Sequence, residues 1–154
     1  MKAKDVPSDS RFQADLAVSH KPLQVLVVED NPGDVYLIRS AIESAGLKAD
    51  IRVVTDGEKA TGFVDDADRD PSKPAPDLVI LDLNLPKKRG SEVLEHIRRS
   101  RKCREATVIV VSTSQRPHEI EAVLQLGADA YFRKPSEFDE FLKLGAVIQS
   151  LLAR

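Results

Sequence analysis

From about residue 23 onward, the apolar positions fall into two alternating patterns. Three short runs, Val25-Leu26-Val27-Val28, Leu78-Val79-Ile80-Leu81 and Val108-Ile109-Val110-Val111, are unbroken and rich in β-branched residues. A strand without hydrophobic/polar alternation has no face to offer water, so these runs predict the interior strands of a parallel sheet covered by helices on both sides. Ile51–Val54 and Ala130–Phe132 are weaker in pattern and predict edge strands.

Between the runs the period lengthens to that of a helix. Val35, Ile38, Ile42 and Ala45 advance by steps of three and four, and Gly46 follows as a stop. Val93, Leu94 and Ile97 mark another helix, and Ile120, Val123 and Leu124 a third that ends at Gly127. Phe138, Phe141, Leu144, Ile148 and Leu151 predict a single last helix, and Gly57–Val64 a short one followed by a surface loop over Asp65–Pro76. Five strands alternating with five helices give an α/β fold, a (βα)5 doubly wound parallel sheet of flavodoxin-like strand order 2-1-3-4-5. Residues 1–21 are polar and aperiodic and predict a flexible tail, with a short helix around Phe12–Val18. One domain over residues 22–154 follows it.

Ligands of such sheets bind beyond the carboxyl ends of the strands, at the point where the strand order reverses. Strand 1 ends in Glu29-Asp30 and strand 3 in Asp82, with Asn84 two residues on. Strand 4 ends in Ser112-Thr113-Ser114, and strand 5 in Arg133-Lys134-Pro135. The predicted order makes these strands neighbours, so three carboxylates, several hydroxyls and one lysine converge. Carboxylates this close repel one another unless a cation or a raised pKa relieves them. Hard oxygen donors suit Mg²⁺, and a carboxylate can serve as a nucleophile toward phosphorus. The patch is equipped to accept a phosphoryl group, whose charge a cation and a lysine would offset.

Composition narrows the picture further. The 154 residues carry 23 Lys plus Arg and 25 Asp plus Glu, a formal charge of −2, so bulk electrostatics give no reason to expect nucleic-acid binding. One cysteine, Cys103, allows no internal disulfide and fits a reducing compartment. No apolar run reaches the roughly 20 residues of a membrane span, and the charged amino-terminal segment is unlike a signal peptide, so a cytoplasmic location is expected. His20, His96 and His118 are scattered without ligand spacing. Arg98-Arg99-Ser100-Arg101-Lys102-Cys103-Arg104 holds five basic residues in seven, expected to offset the negative end of the third helix and stay solvated. Those cations could lower the Cys103 pKa.

Together, Glu29-Asp30, Leu81-Asp82-Leu83-Asn84-Leu85-Pro86 with Gly90, Ser112-Thr113 and Lys134-Pro135 make the chain resemble a response-regulator receiver domain of two-component signalling. The intervals agree as well, with 30 residues from Asp82 to Ser112 and 22 from there to Lys134. The resemblance covers about residues 23–152. It implies Asp82 as phosphoacceptor, Asp30 as direct Mg²⁺ ligand, Glu29 acting through water and Asn84 supplying its backbone carbonyl. It also implies Lys134 as the phosphoryl-oxygen partner, a cis Lys134–Pro135 bond, and Ser112 and Tyr131 as switch residues of a readout face over residues about 115–145. The implied partner is a histidine kinase. The phrase Glu29-Asp30-Asn31-Pro32-Gly33-Asp34-Val35 is similar to single-domain regulators of bacterial phytochrome-type kinases.

Such proteins are signalling phosphoacceptors rather than enzymes in the usual sense. The resemblance leaves open a homodimer or a downstream phosphotransfer protein, and no output module is expected after the last helix. Departures from the family pattern are Ser112 in place of the commoner Thr and Arg89 where an acid often precedes the glycine, which leaves Lys87-Lys88-Arg89 unusually basic. Two alternatives stand beside the phosphoacceptor. One is a phosphorylation-independent, receiver-like interaction module. The other is a flavodoxin-like carrier, disfavoured because the acidic loop Glu29–Asp34 would repel a bound phosphate.

Overall fold

A computed structural model describes residues 21–154, so the expected tail, with its helix around Phe12–Val18, lies outside the described residues except for Lys21. Each unbroken apolar run becomes an interior strand. Strands β1 (Leu23–Val28), β3 (Leu78–Leu81) and β4 (Thr107–Ser112) are flanked by the edge strands β2 (Ala49–Val54) and β5 (Ala130–Arg133). The sheet is parallel throughout, in the order β2-β1-β3-β4-β5. Crossovers are made by α1 (Pro32–Ser44), α2 (Gly57–Arg69), α3 (Gly90–Arg99) and α4 (Pro117–Gln125), and the chain closes with α5 (Phe138–Phe141) and α6 (Leu144–Leu152).

The pleat sorts strand side chains into two cores. Leu26, Val28, Val79, Leu81, Val108 and Val110 pack with Ala60 and Val64 of α2, Val93, Leu94 and Ile97 of α3, and Val123 of α4. Val25, Val27, Leu78, Ile80, Ile109 and Val111 pack on the other side with Ile38 and Ile42 of α1, Phe141 of α5, and Leu144 and Ile148 of α6. Alternate residues of one strand thus serve opposite cores, which is why the runs show no polar positions. Each fully buried aliphatic contributes about 1.5–3 kcal/mol relative to exposure.

Register fixes where the strands end. Val28 pairs with Leu81, and Leu81 with Val110, so β1 and β3 stop level and Glu29 and Asp82 leave the sheet side by side. Ser112 pairs with Arg133, and the Lys134 N–H donates to the Ser112 carbonyl at 2.7 Å.

Gly46 and Gly127 terminate α1 and α4 at φ 76° and 112°, as their positions in the pattern predict. Elsewhere the structure corrects the pattern. The helix expected over Gly57–Val64 runs on to Arg69, because Ala67 extends its buried face and the acids Asp65, Asp66 and Asp68 all find partners. The single last helix is broken at Leu142–Lys143. No cis peptide bond occurs among the described residues, so Lys134–Pro135 is trans, the lower-energy form of such a bond.

The basic segment is also less solvated than its composition implies. The Arg98 guanidinium donates to the carbonyls of Arg104, Ala106 and Gly127 and pairs with Asp129. Arg101 donates to the Asp68 carbonyl, and Lys102 to the carbonyls of Asp70 and Lys73. These cations tie loops together at the amino-terminal end of the sheet, opposite the acidic cluster. Cys103 is buried, and burial pushes its thiol pKa up rather than down.

Candidate functional site

Four strand ends supply the site, and the local sequence explains how each is aimed. After Glu29-Asp30, Asn31 caps α1 by accepting from the Asp34 N–H at 3.0 Å, and Pro32 starts the helix. The chain therefore turns from strand to helix within a few residues, which leaves Asp30 exposed and Glu29 buried beneath it. After β3, Asp82 is held by its own N–H on the Val28 carbonyl, at 3.0 Å. The loop then reverses through Lys87 at φ 71°, with the Lys88 N–H donating to the Pro86 carbonyl at 2.8 Å, a γ-turn. α3 begins against this loop. A Cβ on Gly90 would come well under 3.0 Å from the Asp82 carbonyl, so the helix can start this close only at glycine.

Glu29, Asp30 and Asp82 each offer a carboxylate oxygen within 4.8 Å of the others; among the described residues this is the one group of His, Cys, Asp and Glu with metal-holding spacing. Hard carboxylate oxygens gathered this closely are the donors that a cation such as Mg²⁺ takes. Lys134 closes the cluster from β5. Its Nζ lies 2.8 Å from Glu29 Oε1, 2.8 Å from Asp34 Oδ2 and 3.5 Å from Asp82 Oδ2.

Electrostatics follow from this crowding. Burial, and then the charge of Asp82, outweigh the Lys134 hydrogen bond and push Glu29 up to about 7. Burial by itself would lower the Lys134 ammonium, but the hydrogen bonds to Asp34 and Glu29 and the charge of Asp82 hold its pKa above the ordinary lysine value.

The structure thus brings together Glu29, Asp30, Asp82 and Lys134. Asn84 lies in the same loop, its N–H donating to Asp82 Oδ1 at 3.3 Å. Ser112 is fully buried at the end of β4, its Oγ accepting the Ser114 N–H at 3.2 Å. Tyr131 is half-buried, and its hydroxyl donates to the Ser114 carbonyl at 2.6 Å, linking β5 to the loop that leads into α4. A groove of about 600 Å³ leads from Asp30 and Asn84 past Arg89 to Glu119 and Val123 of α4. His96 instead pairs with Asp65 and His118 is exposed on α4, both away from the cluster, and His20 lies outside the described residues.

Asp34 is the site residue that the sequence reading missed. Its signal was present, since Asn31 and Pro32 place a helix start at the end of β1, and the third residue of that helix must then face the strand ends.

Known proteins resemble the chain in sequence and in fold. The family model described as response regulator receiver domain matches residues 25–145. The response regulator Rcp1 of Synechocystis sp. is 30% identical over 132 residues, covering 86% of this chain and 90% of that protein. The crystal structure of the phosphorylated cyanobacterial phytochrome response regulator RcpA superposes with a TM-score of 0.75 at 29% identity, covering 85% of this chain and 94% of the other. The Mn²⁺-bound form of Rcp1 does so with a TM-score of 0.74, also at 29% identity, covering 85% and 94%.

Proposed function

The chain belongs to the response-regulator receiver family, and from that premise we propose that it accepts a phosphoryl group onto Asp82 and signals by a change in its α4-β5-α5 surface. One observation carries this reading. Acids from the ends of two adjacent strands gather within reach of the one ammonium that β5 supplies.

In the proposed reaction a carboxylate oxygen of Asp82 attacks phosphorus on a kinase phosphohistidine. A P–O bond forms as the P–N bond breaks, and the leaving imidazole nitrogen keeps the electron pair. Asp30 and Asp82, with Glu29 and the Asn84 carbonyl, would hold Mg²⁺, which when bound offsets charge on the transferring group. Lys134 supplies the fixed positive charge from the protein side. RcpA is titled a phytochrome response regulator, and a bacteriophytochrome-type kinase is the donor we propose by that likeness.

Phosphorylation replaces the carboxylate's single negative charge with an acyl phosphate of about −1.5 to −2, at a residue that is 6% exposed. At the end of β4 the Ser112 hydroxyl oxygen holds the Ser114 N–H, while the Ser114 carbonyl holds the Tyr131 hydroxyl. A shift of Ser112 toward the new oxygens would therefore pull on the loop that Tyr131 braces and repack α4. α4 is suited to such repacking, because Val123 is its single buried residue.

Incubation with acetyl phosphate and Mg²⁺, followed by intact-mass measurement, tests the proposal. A gain of one phosphoryl mass that is lost in Asp82→Asn is expected. No gain in the wild type would favour a phosphorylation-independent interaction module.

A further inference from the structure

We propose that Asp34 is a positioning residue that competes with the incoming phosphoryl oxygens for the Lys134 ammonium, so that the first turn of α1 sets how tightly the site takes its phosphoryl group. The inference rests on the reading of Asp82 as acceptor.

An ammonium group has three N–H donors. Around Lys134 stand three carboxylates; Glu29 and Asp34 each accept a hydrogen bond at 2.8 Å and Asp82 lies at 3.5 Å, so two of the three donors are engaged before any phosphoryl group arrives. A phosphoryl group brings three oxygens to Asp82, and the ammonium can meet more than one of them only if a hydrogen bond to Glu29 or Asp34 gives way.

Burial decides which one. The Glu29 side chain is 2% exposed and that of Asp82 is 7%, whereas that of Asp34 is 25% exposed. Glu29 released from Lys134 would stay buried, with the Asn31 N–H as its remaining hydrogen-bond partner. Asp34 can turn to water instead. It also occupies the first turn of α1, where the helix dipole favours a negative charge. The cap of α1 runs from the Asp34 backbone N–H to Asn31, so the start of the helix does not depend on the Asp34 carboxylate. Asp34 is thus the exchangeable partner, and its charge at the rim opposes the approach of an anion. Without it, Lys134 remains anchored by Glu29 and drawn toward Asp82.

The test compares Asp34→Asn, Asp34→Glu and the wild type, with Glu43→Gln as a control that makes the same charge change at the exposed far end of α1. Binding of beryllofluoride in the presence of Mg²⁺ is followed by calorimetry and fluorine NMR. Initial rates with acetyl phosphate are measured alongside. In Asp34→Asn, beryllofluoride binding is expected to tighten about fivefold, as removal of one partly screened charge implies. The KM for acetyl phosphate falls by a similar factor with kcat little changed, and Asp34→Glu returns toward wild type. Unchanged or weaker binding in Asp34→Asn overturns the inference, as does equal tightening in Glu43→Gln, which would trace the effect to net charge. If the wild type takes up phosphate and Asp34→Asn matches it, the inference alone fails. If the wild type neither binds beryllofluoride nor gains phosphate, the acceptor reading fails and the inference falls with it.

Discussion

Glu29 carries the sharpest electrostatic conflict in the molecule. It is 1% exposed and lies beside the charge of Asp82, and these outweigh its hydrogen bonds from Lys134 and the Asn31 N–H, so its pKa rises from 4.5 to about 7. The consequence for stability has a definite sign. Between those two values the folded protein keeps a proton on Glu29 that the unfolded chain has lost. The contribution of this group is therefore complete below 4.5 and disappears as pH rises through about 7. Thermal denaturation without divalent cations should show the wild type losing stability relative to Glu29→Gln across that window. Mg²⁺, by favouring the ionised carboxylate, should stabilise the wild type more as pH rises. Parallel pH profiles for the two proteins would contradict this assignment.

At the scale of elements, the β3–α3 connection does most to shape the site. Gly57 of α2 abuts Lys88, Lys87 adopts a left-handed φ, and Gly90 lets α3 begin against the Asp82 carbonyl. A Gly90→Ala change must push helix and loop apart. The expected destabilisation is about 2–4 kcal/mol in urea unfolding, with phosphoryl uptake reduced in the fraction that remains folded. A loss under about 0.5 kcal/mol would mean the close approach is not a constraint. By contrast α4 is anchored through one buried residue, Val123.

Over the whole molecule, what the sequence revealed depended on how far apart the cooperating residues lie. The interior strands were legible because burial on both faces forbids polar positions, and their order then brought Glu29, Asp30, Asp82 and Lys134 together. The final turn of α2 was hidden, since three acids in five residues imitate a solvated loop until His96, Arg69 and Ser100 are seen to pair with them. The basic segment was legible in part, since Arg99, Arg101 and Arg104 are exposed as expected. Arg98 and Lys102 spend their charge on backbone carbonyls contributed by distant loops. Asp34 escaped notice because its partner lies 100 residues away.

We propose that Asp82, and no neighbouring acid, forms the acyl phosphate. Protein treated with acetyl phosphate and Mg²⁺, reduced with borohydride and mapped by peptide mass spectrometry, should carry homoserine at position 82 and unmodified aspartate at 30 and 34. Homoserine at either of those positions instead, or at none of the three, would contradict the account.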